Sequence, residues 1–257
     1  MQRVQPNKSF GQHFLKDSSV IERIVDLISQ NHVCDKLIEI GPGTGALTSA
    51  LIPKFIDTLT CIEVDERCVF YLEQNYPVLK HKIIHQDFLL VNLATLLQPA
   101  ATIVGNFPYN ISSQIIFKII ENRMLIPSMI GMFQKEVADR IASPPGNKTY
   151  GILSVLAQVY YDVAVSFQIP PSAFNPPPKV NSAVLLMNRK GQPLAVDYLA
   201  LKKVVKAAFN QRRKMLRNSL KELIPESMVD HPIFMKRPEQ LSVSDFVSLT
   251  NLIETAR

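Results

Sequence analysis

Short apolar runs alternate with amphipathic segments over the first two thirds of the chain. The apolar runs are rich in β-branched residues, and the segments between them repeat apolar residues at helical spacing. This alternation predicts an α/β fold, a doubly wound and mostly parallel sheet with helices on both faces. The predicted strands are Lys36–Ile40, Thr58–Val64, Lys82–Gln86, Thr102–Gly105 and Met129–Gln134, and the predicted helices are Thr44–Lys54, Glu66–Asn75, Ser112–Asn122 and Lys135–Ala142.

The pattern changes after the fifth predicted strand. A loop, a helix and two late strands joined by a proline-rich segment suit a terminal antiparallel pair on the sheet. A Gly-Gln-Pro turn then predicts a boundary between a domain of residues 1–189 and a small, all-helical domain of residues 190–257. The elements are the loop Ser143–Tyr150, the helix Gly151–Tyr161, the strands Val163–Ile169 and Ser182–Arg189, the segment Pro170–Lys179 and the turn Gly191–Pro193.

Composition narrows the class of protein. The 257 residues are 47% apolar and 19% charged, which favours a folded chain with a sizeable core. The net charge of +6 is compatible with a polyanionic partner. Three scattered cysteines, no zinc-type spacing and no long apolar run lead us to expect no metal, no membrane segment and a reduced, cytoplasmic protein.

A glycine-rich turn follows the first predicted strand. Gly41, Gly43 and Gly45 stand where a strand meets a helix, a place where backbone N–H groups can approach a ligand. Glu63 closes the next strand, where a carboxylate can accept hydrogen bonds from ribose hydroxyls, and Asp87 follows the third strand, where it can face an adenine ring. Because Gly41-x-Gly43-x-x-Ala46 also fits a dinucleotide site, this turn alone leaves both S-adenosylmethionine and NAD open.

The sequence Asn106-Phe107-Pro108-Tyr109 follows the fourth predicted strand. An aromatic amine is a poor nucleophile because its lone pair is delocalised into the ring. The Asn106 side-chain oxygen and the carbonyl of Phe107 or Pro108 can accept hydrogen bonds from such an amine and draw its nitrogen towards a pyramidal geometry. Pro108 also removes a competing backbone donor, and Tyr109 can stack on a base. This segment favours methyl transfer to adenine over hydride transfer. Ser112 is the expected N-cap of the next helix.

These motifs together resemble the small-subunit (16S) ribosomal RNA adenine dimethyltransferases, the KsgA/RsmA family, and the likeness runs almost from end to end. The last two of the matching segments make the resemblance specific. The segments are Phe10–Leu15, Glu39–Gly45, Ile62–Asp65, Asp87, Asn106–Ser112, Phe174–Ser182 and Phe209–Asn218.

The resemblance implies a class I, Rossmann-like methyltransferase domain at residues 1–189 and an RNA-binding helical domain at residues 190–257. It implies dimethylation of two adjacent adenines near the 3′ end of small-subunit rRNA, within a pre-30S particle, during subunit maturation by a monomeric enzyme. His13 departs from the Asn that many bacterial members carry. The implied ligands of S-adenosylmethionine are His13, Leu15, Gly41, Glu63, Asp87 and Asn106.

Two further features concern the RNA. The stiff segment Phe174–Pro178 predicts that Phe174 packs against the free face of the adenine, opposite Tyr109. Residues 198–221 hold eight Lys or Arg and no acid, which favours a phosphate-binding surface. Arg212 falls on the apolar side of a continuous helix, so we expect a break near residues 210–212. The predicted RNA contacts are Arg212, Arg213, Lys214 and Arg217.

Three alternatives remain at this point. The adenine methyltransferases of large-subunit rRNA share the Asn-x-Pro-Tyr core but generally lack the segment Asn210–Lys214. A non-catalytic RNA-binding assembly factor would keep the fold, although the intact Asn106–Tyr109 argues against loss of chemistry. An NAD oxidoreductase has no use for that segment and needs a hydride-site acid or base, which the sequence does not offer.

Overall fold

The computed structural model describes residues 4–7, 10–225 and 228–256. The strands within these residues are β1 (Phe14–Leu15), β2 (Leu37–Ile40), β3 (Leu59–Glu63), β4 (Ile83–His85), β5 (Thr102–Asn106), β6 (Ser128–Gln134), β7 (Tyr161–Ile169), β8 (Phe174–Asn175) and β9 (Ser182–Arg189). The α-helices are α1 (Ser18–Asn31), α2 (Ala46–Phe55), α3 (Glu66–Asn75), α4 (Leu93–Leu96), α5 (Ser112–Glu121), α6 (Lys135–Ile141), α7 (Ile152–Tyr160), α8 (Tyr198–Asn210), α9 (Leu216–Ser219) and α10 (Val243–Thr255).

Seven of the described strands form one sheet in the order β4-β3-β2-β5-β6-β9-β7. The pairs from β4 to β6 are parallel, and β9 runs antiparallel to β6. All four residues of β2 are buried, as expected for a central strand with helices on both faces. The predicted α/β class with late strands of reversed direction is confirmed.

Most predicted elements lie within two residues of their expected ends. The helix Glu66–Asn75 and the strand Ser182–Arg189 have the predicted bounds. The sequence pattern did not predict α1 or the short antiparallel pair of β1 and β8. Asp17 caps α1 by accepting from the N–H groups of Ser19 and Val20. The expected cap at Ser112 is wrong. A 3₁₀ turn precedes α5, Ile111 is its N-cap, and the Ser112 hydroxyl donates to the Tyr109 carbonyl at 3.0 Å.

Contacts divide the chain into two compact units. The first holds Met1–Ala138 and Ala164–Arg189, and the second holds Asp139–Val163 and Lys190–Arg257. The two domains expected on either side of residue 189 stay a prediction, because the second unit includes Asp139–Val163 as well as the residues after Arg189. The physical reason is that α7 packs against α8 and α10, which come later in the chain.

The second unit has its own apolar core. Phe209 stacks on Phe246 with ring centroids 5.7 Å apart, and Tyr150 meets Phe209 edge to face at 6.0 Å. The helix α8 ends at Asn210, which confirms the break expected from the apolar position of Arg212. None of the helices in the described parts of the chain combines the length and apolar composition that crossing a membrane requires.

Candidate active site

A cavity of about 190 Å³ opens in the first unit, where β2, β3, β4 and β5 end side by side. Ligands of doubly wound sheets bind at this carboxyl edge. The ends of these four strands and the residues after them supply the turn Gly41–Thr44, Glu63 with Val64, Asp87 with Phe88, and the segment Asn106–Ile111. The predicted site residues that line the cavity are His13, Leu15, Gly41, Glu63, Asp87, Asn106, Pro108 and Tyr109.

The turn after β2 depends on glycine. Gly41, Gly43 and Gly45 all have positive φ angles, between 58° and 82°, which residues with a Cβ rarely adopt. A Cβ on Gly43 would also approach the Phe14 ring to 2.8 Å. The turn therefore brings backbone without side chains to the cavity. An adenosyl ligand and a dinucleotide both need such a close approach of the backbone.

Glu63 is only 4% exposed, yet its carboxylate lines the cavity. One oxygen accepts from the N–H of Gly43 at 3.0 Å, and the other accepts from those of Val64 at 2.8 Å and Asp65 at 2.9 Å. Burial raises the pKa of Glu63, and the three N–H donors oppose that rise by favouring the charged form. The carboxylate is thus held in one orientation across the gap between the turn after β2 and the end of β3.

Asp87 lies in a turn that a lysine organises. The Asp87 carboxylate accepts from the N–H of Leu89 at 2.8 Å. The Lys118 ammonium donates to the carbonyl oxygens of Leu89 and Val91, both at 2.7 Å, and lies 5.2 Å from the Phe88 ring centroid. Lys118 therefore fixes the turn that carries Asp87 and Phe88, although its sequence position in α5 gave no sign of this contact.

The side-chain amide of Asn106 is oriented by the backbone of His13. Its Nδ2 donates to the His13 carbonyl oxygen at 2.7 Å. Because a carbonyl oxygen only accepts, the NH₂ end of the amide faces His13, and Oδ1 is the end that this contact leaves unused. The orientation agrees with the predicted role of Oδ1 as an acceptor.

Phe107 anchors the segment that contains Asn106, Pro108 and Tyr109. Its side chain is 1% exposed and meets Phe133 edge to face at 5.1 Å. Gly105 and Gly131, which are paired in register, leave the room for this ring. A Cβ on Gly131 would approach the ring to 2.2 Å, and one on Gly105 would lie 2.5 Å from the carbonyl oxygen of Ile40. Phe107 therefore fixes the positions of Asn106, Pro108 and Tyr109, which line the cavity.

Tyr109 is held at its hydroxyl and on one face. The hydroxyl shares a hydrogen bond of 2.5 Å with the Ser182 hydroxyl, and the ring stacks on that of His13. Burial raises the pKa of Tyr109, so the phenol stays protonated at neutral pH.

The structure places Phe174 in the apolar core beside the cavity wall. This side chain is 1% exposed, belongs to the apolar core that includes Leu15 and Ile169, and is not among the residues lining the cavity. Its strand, β8, pairs antiparallel with β1, with Phe174 opposite Leu15. The ring therefore fills the core, and its contact with a target base stays a prediction.

The predicted RNA-binding residues lie in the second unit and divide into two kinds. Arg213, Lys214 and Arg217 are exposed. Arg212 instead donates to the carbonyl oxygens of Lys148 at 2.6 Å and Asn147 at 2.9 Å, and so holds the loop that precedes α7. Its guanidinium is engaged in the fold, and its predicted contact with RNA phosphates stays a prediction.

The sequence reading also missed residues around the cavity. Glu39 lines it while only 1% exposed, and burial, with the neighbouring Glu63 charge, raises its pKa to about 7. Gln12 and Asp65 join the wall of the cavity to α3. Their positions beside the glycine motif and Glu63 were the available signal. No group of three His, Cys, Asp or Glu that could hold a metal is found in residues 4–7, 10–225 and 228–256.

Comparison with known proteins identifies the family to which the chain belongs. A scan against protein families matches residues 3–255 to the family described as ribosomal RNA adenine dimethylase. A protein of Parabacteroides distasonis named ribosomal RNA small subunit methyltransferase A is 50% identical over 253 residues, 97% of this chain and 94% of its own length. A protein of the same name from Flavobacterium johnsoniae is 50% identical over 257 residues, 99% of this chain and 98% of its own.

Solved structures agree on the fold. A dimethyladenosine transferase from Plasmodium falciparum superimposes with a TM-score of 0.79 at 24% identity, covering 95% of this chain and 98% of that one. The 23S rRNA methyltransferase ErmE gives a TM-score of 0.67 at 23% identity, covering 93% and 99%. The fold, the whole-length family match and the relatives at 50% identity exclude the NAD oxidoreductase alternative. The chain belongs to the ribosomal RNA adenine dimethylase family.

Proposed function

We propose that this protein transfers methyl groups from S-adenosylmethionine to the exocyclic amino group of adenines in small-subunit rRNA, giving dimethyladenosine. The observation that carries the proposal is one cavity that joins the ribose-type carboxylate Glu63 to Asn106, Pro108 and Tyr109. The relatives at about 50% identity carry the small-subunit name, whereas ErmE is 23% identical. This difference favours the small-subunit enzyme over the large-subunit alternative.

The donor set around the cavity fits an adenosyl cofactor. Glu63 is oriented to accept from ribose hydroxyls, Asp87 stands on the next strand end, and the Gly41–Gly45 turn leaves space beside them. Leu15 and His13 contribute to the opposite wall. When bound, the cofactor supplies a methyl group activated by a sulfonium.

The residues after β5 act on the target amine. The Asn106 oxygen and the backbone carbonyl of Phe107 or Pro108 accept from its two N–H groups, which localises the nitrogen lone pair. Tyr109 holds the base by stacking, and its ring is kept in place by Ser182 and His13. Alignment and oriented dipoles supply the rate, and no strong general base is required because the proton leaves after the methyl group is transferred.

The finer parts of the proposal concern substrate and setting. Two adjacent adenines near the 3′ end of small-subunit rRNA are the targets, within a pre-30S particle in the cytoplasm, and the enzyme acts as a monomer. Arg213, Lys214 and Arg217 bind phosphates of that RNA, supported by their exposure and by the lack of acids among residues 198–221. The second unit is the RNA-binding part of the chain.

The experiment uses labelled S-adenosylmethionine and small subunits from cells that lack adenine dimethylation. We expect label in dimethyladenosine after nucleoside analysis, with no incorporation into large subunits. The Asn106→Ala variant is the control for catalysis by this site. Label in large-subunit rRNA alone selects the large-subunit activity. Binding of small subunits without any methylated nucleoside selects the assembly-factor alternative.

A further inference from the structure

One wall of the cavity is formed by residues 10–15, which we call the N-terminal wall. Its contacts with the rest of the first unit include the following three. Gln12 Nε2 donates to Asp65 Oδ2 at 2.9 Å, the His13 carbonyl accepts from Asn106, and β1 pairs with β8. The second contact belongs to the methyl-transfer site and the third lies at the end of the wall. The first contact joins the wall to the ribose side of the cavity, and Gln12 Nε2 also lies 3.8 Å from the Cys68 Sγ of α3.

Asp65 is a rigid partner for this contact. Its side chain is 4% exposed and accepts from Arg67 Nε at 2.9 Å and Nη2 at 2.6 Å, a two-point pairing. These bonds to Arg67, together with the one from Gln12, lower the pKa of Asp65 to about 2, so the carboxylate is charged at neutral pH. The Asp65 N–H donates to Glu63 Oε1 at 2.9 Å. The carboxylate is therefore fixed relative to the predicted ribose ligand.

Gln12 uses both ends of its amide. While Nε2 donates to Asp65, Oε1 accepts from the N–H of Asn7 at 2.8 Å. A glutamate in this place would keep the acceptor for Asn7 but would bring a second negative charge against Asp65. An alanine would lose both contacts. The site thus requires one donor and one acceptor, which an amide of this length provides.

We propose that Gln12 and Asp65 are a pair of positioning residues for S-adenosylmethionine. They act by fixing the N-terminal wall, of which Gln12 is part. They hold the N-terminal wall at the distance from Glu63 that the cofactor needs, so the hydrogen bond between them sets cofactor affinity. This inference rests on the proposed use of S-adenosylmethionine but not on the identity of the RNA.

The first experiment measures S-adenosylmethionine affinity by calorimetry in the absence of RNA. We expect Gln12→Ala to weaken binding by about ten-fold, the loss that follows from one hydrogen bond to a charged group, and Gln12→Glu to weaken it further through repulsion. Gln30→Glu, the same change at an exposed position of α1, is the matched control and leaves affinity unchanged. Wild-type affinity in a folded Gln12→Glu variant overturns the proposal.

The second experiment restores the contact with its charges exchanged. In the double variant Gln12→Glu, Asp65→Asn, the new amide can donate to the new carboxylate. We expect it to bind S-adenosylmethionine more tightly than Gln12→Glu alone, while a merely additive loss of affinity overturns the pair. Thermal unfolding of every variant separates a loss of affinity from a loss of fold. If wild type binds S-adenosylmethionine but modifies no RNA, the proposed function fails while this inference still stands.

Discussion

The imidazole ring of His13 stacks on the phenol ring of Tyr109, with centroids 5.5 Å apart and planes inclined by 26°. His13 Nδ1 lies 2.8 Å from the carbonyl oxygen of Pro176, an acceptor, so Nδ1 carries the proton in this contact. His13 is thereby pinned at its ring as well as at its backbone. One face of Tyr109 is covered, so the proposed stacking of a target base uses the other face.

This arrangement gives different expectations for two changes at Tyr109. Tyr109→Ala removes the stacking surface and should cost about 1–3 kcal/mol in kcat/KM for RNA. Tyr109→Phe keeps the ring and its contact with His13 while losing the bond to Ser182, and should retain most activity. Steady-state kinetics on undermethylated small subunits measures both. A Tyr109→Phe variant as inactive as Tyr109→Ala would show that the hydroxyl is essential and that stacking is the wrong account.

Asn106→Ala should act mainly on turnover. The variant loses an acceptor that strengthens as the amine nitrogen becomes pyramidal, an interaction worth about 10²–10³ in rate. It also releases the His13 carbonyl, so a modest fall in S-adenosylmethionine affinity is expected as well. Single-turnover rates with saturating cofactor separate the two effects. Near wild-type turnover would remove Asn106 from the mechanism without touching the fold assignment.

Glu63→Ala should weaken S-adenosylmethionine binding by about 1–3 kcal/mol, the value of charge-assisted hydrogen bonds to the ribose. Because the carboxylate also accepts from three backbone N–H groups, the variant should unfold at a lower temperature. Glu66→Ala removes an exposed acid nearby on α3 and serves as the control. Unchanged calorimetric affinity in folded Glu63→Ala would place the ribose elsewhere.

Neutralising Arg213, Lys214 and Arg217 together should weaken RNA binding and flatten its salt dependence. The expected change is about 0.7–0.9 log unit per lost phosphate contact, because each contact releases condensed counterions. Filter binding over a range of salt concentrations measures the slope, and the affinity for free S-adenosylmethionine should not change.

Arg212→Gln offers a contrast within the same segment. Its guanidinium donates to two carbonyl oxygens of the loop before α7, so the change should lower thermal stability and leave the salt slope close to that of wild type. The opposite result, a flatter slope with full stability, would return Arg212 to the RNA surface.

Glu39 predicts a dependence of stability on pH. Burial raises its pKa in the folded protein from the ordinary 4.5 to about 7, so between these pH values the folded state holds a proton that the unfolded state has released. Stability therefore falls as pH rises from about 4.5 to 7, by at most about 3–4 kcal/mol at about 1.4 kcal/mol per pKa unit. Glu39→Gln should reduce this fall, measured by denaturant unfolding at pH 5 and pH 8. An unchanged difference between the two would assign the effect to other groups.

Local pattern was sufficient for the sheet and for the placement of most of the cavity. The carboxyl ends of parallel strands lie at one edge by topology, so Gly41, Glu63, Asp87 and Asn106 could be brought together without coordinates. The bounds of α3 and β9 followed from periodicity alone.

Local patterns in the sequence did not predict the long-range contacts. The strands β1 and β8 have two residues each, too few for a periodic signal, and only their pairing buries Phe174 opposite Leu15. The engagement of Arg212 depends on carbonyl oxygens more than sixty residues away. Charge density and aromatic character indicated which contacts these side chains are able to make, but the partner that each finds is decided by tertiary packing.

Because Asp139–Val163 belongs to the second unit, the gene can recombine with that of a relative at fewer positions without disturbing the fold. A single crossover at residue 189 would pair α7 of one parent with α8 and α10 of another, although these helices share one packed core. The core of the second unit in such a hybrid would combine side chains from two parents, which would need compensating substitutions to pack together. Exchange of the whole second unit takes an additional pair of crossovers around residues 139–163. This unit is therefore inherited intact only when two separate stretches of the gene are exchanged together.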